Sequence, residues 1–87
     1  MLYNLACVRS LCGAAVLDDD KLPLLERLVL SAAHGDEALA LLRRARSGGF
    51  FRVAANRKQL AEDADLHFLR LRKDFQELLR VVATQGR

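Results

Sequence analysis

The side chains best suited to hold a metal, His34, Asp36 and Glu37, cluster around Gly35. Zinc sites on helices pair ligands at i, i+4, and calcium loops alternate their oxygens, so this cluster fits neither pattern. Asp18-Asp19-Asp20 offers carboxylates in a row, but no Gly follows and no Glu stands at calcium-loop distance. Cys7 and Cys12 are five residues apart. On a helix that spacing turns the thiols about 140° from each other, too far for a disulfide or a shared metal. Two buried thiols in a reducing cytoplasm are expected. Gly48-Gly49 follows a helical pattern, whereas a phosphate loop follows a strand and carries Lys-Ser/Thr. Ser10, Ser31 and Ser47 lack a nucleophile-elbow context. His67, between Leu66 and Phe68, reads as a partly exposed structural histidine. The chain offers no catalytic constellation, and no enzyme activity, metal or cofactor is expected.

The elements that carry these residues are helical. Leu, Ala, Arg, Glu and Lys abound while β-branched and aromatic residues are few, which predicts an all-α fold. A hydrophobic content of 52% with a single Pro excludes a disordered segment. With 87 residues the chain makes one small domain, expected over 1–84 with a frayed tail at 85–87. No apolar run reaches the roughly 18 residues of a membrane span. The start lacks a cationic segment and Arg9 interrupts its apolar stretch, so a signal peptide is not expected and a cytoplasmic location is. Residues 1–42 carry three basic side chains against six acidic, and residues 43–87 eleven against five. The basic second half could attract an acidic partner or nucleic acid, but its cations are interleaved with acids, as on a solvated face.

Leu5, Val8, Cys12 and Ala15 predict a first helix over Leu2–Ala15 with one apolar face. The three aspartates end the loop that follows, and Pro23 suits a first helical turn. Leu25, Leu28, Ala32, Gly35, Leu39 and Leu42, spaced 3, 4, 3, 4, 3, predict one long helix from Leu22 to about Ser47. Gly35 would then lie inward, where another backbone can come close. A stop at Gly35 with Asp36 as a new N-cap is the alternative. Gly48-Gly49 ends the helix behind Arg43, Arg44 and Arg46, and Phe50-Phe51 are expected to plug a core edge. Asn56 and Gln59 resemble a capping box for a short helix over Arg57–Glu62. Asp63 or Asp65 caps a last helical region whose face is Leu66, Leu69, Leu71, Phe75, Leu78 and Val82. Its two parts are expected to fuse into one helix.

Taken in order, several pieces resemble the terminal unit of bacterial tetratricopeptide-repeat (TPR) proteins, such as those ending eukaryotic-type serine/threonine kinases. They are Tyr3-Asn4-Leu5-Ala6-Cys7, Ala38 with Leu42, Ala45 and Gly48, Asn56-Arg57 with Leu60, Asp63-Ala64-Asp65-Leu66 with Leu69-Arg70, and Phe75 with Leu78-Leu79. The resemblance spans about residues 2–80. It departs from a regular repeat in carrying roughly twenty extra residues between the two helices of a 34-residue unit. Arg9 replaces the usual aromatic, Ala64 replaces a Pro, and Lys73-Asp74 lacks the Pro that commonly starts the last helix.

The resemblance implies an antiparallel TPR-like helix pair with an elongated second helix and a C-terminal capping region. It implies a non-catalytic protein–protein interaction module, a stand-alone end of a repeat array or a fragment of a larger protein. Asn4, Val8, Arg9 and Leu11 on the first helix would face a protein or peptide partner, although Asn4 could serve only as a helix cap. Ala6 is expected against Ala38 or Leu42, and the C-terminal region as a lid on the long helix. With no repeat before Met1, the first helix would expose Leu2, Leu5 and Leu11, and a homodimer is expected. The alternative function is a small basic nucleic-acid binder using Arg43, Arg44, Arg46, Arg52, Arg57 and Lys58. It lacks a recognition helix with a continuous basic face.

Overall fold

A computed structural model describes residues 1–84, so the expectation for 85–87 lies outside the described residues. Four helices follow one another: α1 (Leu2–Leu17), α2 (Leu24–Ser47), α3 (Ala54–Glu62) and α4 (Lys73–Thr84). Short 3-10 segments at Phe50–Arg52 and Ala64–Leu69 flank α3. α1 and α2 form an antiparallel pair, and its register is marked by Arg9 meeting Glu37 at 2.8 Å. Ala6, Ala38 and Leu42 are fully buried in one core cluster, at the helix contact the small residues predict.

α2 runs unbroken through Gly35, as the preserved phase of its apolar stripe requires. What approaches Gly35 is not a backbone. An added Cβ there would collide with the Arg72 guanidinium, with the Phe68 ring next nearest. The helix ends at Gly48, and Gly49 takes the left-handed conformation, φ 90°, that a side chain would disfavour. Phe51 then enters the core and Phe50 packs beside it.

The α1 face is corrected. Its buried residues are Tyr3, Ala6, Cys7, Ser10 and Gly13, whereas Leu5, Val8 and Leu11 are exposed. Small side chains won the inner face because they let neighbouring segments come close. An added Cβ at Gly13 would strike the Phe68 ring, so this glycine serves packing and lies well inside the helix rather than in a turn.

The C-terminal region also differs. α3 begins at Ala54, and no side chain caps it. Asn56 instead donates through Nδ2 to the Phe50 carbonyl at 2.8 Å, tying α3 to the preceding turn. The last region does not fuse. Ala64–Leu69 stops before Leu71, which is exposed, and α4 starts afresh where Asp74 Oδ1 accepts from the Phe75 N–H at 2.9 Å. Leu66, Leu69, Phe75, Leu78 and Val82 are buried as expected. They cover less of α2 than a lid would: Ala64–Leu69 packs mainly on α1, and α4 packs on α2 and α3.

Candidate functional site

α1 is apolar on average and has no marked polar side, Asn4 and Arg9 being its only exposed polar side chains, a pattern that ordinarily marks a helix largely surrounded by protein. Its inner side meets α2 and the Ala64–Leu69 segment. Its outer arc is left to solvent. All four expected partner-facing residues lie there: Asn4 and Arg9 are exposed, as are Val8 (53%) and Leu11 (49%). Leu5 continues the arc toward α2, where Leu5, Arg9, Glu37, Ala40, Leu41 and Arg44 line a shallow hollow. Asn4 makes no side-chain hydrogen bond among the described residues and does not cap α1, whose N-cap is Met1. A carboxamide with free donor and acceptor at the edge of an apolar arc can bond an extended peptide backbone.

A second cluster was not legible in the sequence. The Tyr3 hydroxyl donates to Asp63 Oδ2 at 2.8 Å, and the Cys7 thiol donates to the same oxygen at 3.7 Å. Asp63 Oδ1 accepts from the Asp65 N–H at 2.9 Å and so caps the Ala64–Leu69 segment. Ligand atoms of Cys7, Asp63 and Asp65 lie within 4.8 Å of one another. Burial opposes ionisation of Cys7, and the neighbouring Asp63 and Asp65 charges add to this, pushing the thiol up to about 11. Burial and the Asp63 contact likewise raise the Tyr3 phenol. Burial alone would raise Asp63 too, but hydrogen bonds from the Asp65 backbone, Tyr3, Cys7 and Gln59 outweigh it and hold the carboxyl below its ordinary value. The result is a carboxylate accepting hydrogen bonds from a neutral phenol and a neutral thiol. That arrangement anchors the tail to α1 and leaves Cys7 a poor nucleophile. The missed signal was long-range: only the fold brings residue 63 back to residues 3 and 7.

The sequence cluster around Gly35 is pulled apart. Asp36 pairs with Arg72 at 2.6 Å and Glu37 with Arg9 at 2.8 Å, while the His34 Nδ1 is buried without a partner among the described residues. Arg72 also meets Asp74 at 2.9 Å, so one guanidinium spans α2 and the start of α4. Its bonds to Asp74 and Asp36 raise its own basicity and lower the Asp74 carboxyl.

The basic residues of the second half are dispersed. Arg57 turns inward, donating to the Phe51 and Arg52 carbonyls at 3.0 and 2.9 Å, and stabilises the turn. Arg43 and Arg46 share a hollow with Asp74 and Glu77, whereas Arg44 lines the hollow with Glu37. Among the described residues no helix is long and apolar enough to cross a membrane. Comparison with known protein families, with curated proteins and with solved structures found no match.

Proposed function

We propose that the chain is a non-catalytic helical interaction module of the terminal TPR-like kind, which takes a protein or peptide partner on the outer arc of α1. The observation that carries this reading is a predominantly apolar helix with Leu5, Val8 and Leu11 half exposed beside a free Asn4. Such a surface costs free energy in water and is recovered when an apolar partner covers it. Asn4 and Arg9 supply the polar contacts that fix register, and the resemblance of the motifs supports a place at the end of a bacterial repeat array.

Nucleic-acid binding is the less favoured reading, because Arg43, Arg44 and Arg46 stand beside carboxylates and Arg57 is occupied by backbone carbonyls. Displayed peptide libraries selected against the intact chain provide the test. Enriched peptides should lose at least about tenfold in affinity on Val8→Glu or Asn4→Ala, with amide shifts confined to α1. Peptides that map elsewhere, or an oligonucleotide that binds at low salt and falls off at moderate salt, would sink the proposal.

A further inference from the structure

Where the tail meets α1, a thiol, a phenol and two carboxylates converge. Cys7 Sγ and one oxygen each of Asp63 and Asp65 lie within 4.8 Å of one another. Segments far apart in the chain supply them: Cys7 stands on the inner face of α1, while Asp63 caps and Asp65 opens the Ala64–Leu69 segment packed against it. Hydrogen bonds from Tyr3 and Cys7 explain Asp63 as an anchor, but they leave the Asp65 side chain unexplained. Its carboxylate accepts no hydrogen bond and joins no ion pair among the described residues. Two carboxylates brought this close repel. Arg70 does not relieve them, because its guanidinium donates to the Asp63 carbonyl at 2.9 Å and pairs with neither carboxylate.

We propose that Cys7, Asp63 and Asp65 form a binding site for a divalent metal ion of the zinc class, which staples the tail to α1. The spacing fits such an ion. With Zn–S about 2.3 Å and Zn–O about 2.1 Å, a tetrahedral centre sets its sulfur and oxygen ligands about 3.6 Å apart. Cys7 Sγ and Asp63 Oδ2 stand 3.7 Å apart. The Asp65 side chain, exposed and without a partner, is free to turn and close the remaining edges. Sulfur in the ligand set favours zinc over calcium and magnesium, which prefer oxygen.

The support that metal ligands need is already built. Tyr3 donates to Asp63 Oδ2 at 2.8 Å and the Asp65 N–H to Oδ1 at 2.9 Å, so the carboxylate is oriented before an ion arrives. Oδ2 has two lone pairs; Tyr3 holds one, and the ion takes the one now facing the thiol. The Cys7 proton leaves to solvent as the sulfur–metal bond forms, one proton released for one ion bound, with no change of oxidation state. Cys7 is buried while Asp65 is open to solvent, which gives the ion a way in and leaves its fourth position to water.

Titration of the metal-free full chain with Co²⁺ tests the proposal, because a cobalt–thiolate bond shows a charge-transfer band in the near ultraviolet. The band should grow to one ion per chain and vanish when Zn²⁺ displaces the cobalt. Cys7→Ser should abolish it, and Cys12→Ser should leave it as it was. Asp65→Asn removes an exposed carboxylate without a partner, so it should keep the metal-free melting temperature and weaken Co²⁺ binding at least about tenfold. At a hundredfold excess over its dissociation constant, Zn²⁺ should raise the melting temperature by at least about 10 °C, and Mg²⁺ should not. A chain that shows no charge-transfer band would overturn the inference. So would a band that survives Cys7→Ser, one lost with Cys12→Ser, an affinity indifferent to Asp65→Asn, or one ion shared by two chains. Each of the last four would mean adventitious binding by a thiol outside a built site.

Discussion

The two halves of α2 belong to one helix with one uninterrupted stripe, yet they live in different solvents. Ala38, Leu39, Leu42 and Ala45 are buried among α1, the Phe50–Arg52 turn and α4. Leu24, Leu25, Leu28 and Val29 stand in water. Hydrophobic periodicity therefore reports which side of a helix seeks cover and says nothing about how far the cover reaches. Here the tail supplies enough chain for one half.

Removing the cover altogether is the harshest way to break this comparison. A chain ended after Glu62 loses Leu66, Leu69, Phe75, Leu78 and Val82, all buried. It should be insoluble or lack a cooperative melt. A monomeric fragment with sharp thermal unfolding would mean that the α1–α2 pair closes its own core.

Single truncations sharpen the contrast. Leu42→Ala, at a fully buried site, should cost about 2–5 kcal/mol in urea unfolding. Leu25→Ala, at 73% exposure, should change the stability of the monomer by no more than about 0.5 kcal/mol. Equal costs would erase the distinction between the halves. Ala6→Leu should overpack the helix contact and destabilise by about 1–3 kcal/mol. An unchanged melting curve would show that α1 and α2 do not approach through Ala6.

Acid titration probes the anchor that holds the cover on α1. Asp63 and Asp74 are both held below their ordinary values in the fold. Groups depressed in this way contribute their stability fully above the unfolded value, about 3.9 for Asp, and lose it as pH falls through the folded value. Stability should therefore decline on acidification below about pH 4. Asp63→Asn should flatten part of that decline and cost about 1 kcal/mol at neutral pH, and an unaltered acid limb would remove Asp63 from the account. The smallest effect belongs to Arg9→Gln, which breaks an exposed ion pair with Glu37 and should cost less than about 0.5 kcal/mol, less still in high salt.

Much of the fold could be read from the residues. The unbroken α2, its stop at Gly48-Gly49, the inward Phe51 and most of the buried tail follow from periodicity and glycine chemistry. The inner face of α1 did not. A helix with apolar residues on both sides has no strongly preferred direction, and along the contacts with α2 and Phe68 the small Ala6 and Gly13 prevailed over Leu5 and Val8, while Tyr3 turned inward to meet Asp63. Leu71 was misplaced for a related reason: the chain breaks between Leu69 and Lys73, and Arg72 spends its donors on Asp36 and Asp74 there. The four α1 residues singled out for a partner, Asn4, Val8, Arg9 and Leu11, are all exposed, although Arg9 and Leu11 lie at opposite edges of the solvent side. The Tyr3–Cys7–Asp63 anchor, joining residues about sixty positions apart, left no local trace.

Tyr3 has one more consequence, an optical one. It is the sole tyrosine in a chain without tryptophan. Its ring stacks on Phe50 with centroids 5.3 Å apart while its hydroxyl rests on the Asp63 carboxylate. A phenol hydrogen-bonded to a carboxylate emits weakly and brightens when the bond opens. Native emission should therefore be dim, and its rise should report release of the tail from α1, whereas far-ultraviolet dichroism reports all helices together. Coincident curves from the two signals would make the molecule a single cooperative unit, and an earlier rise in tyrosine emission would mean that the anchor opens first.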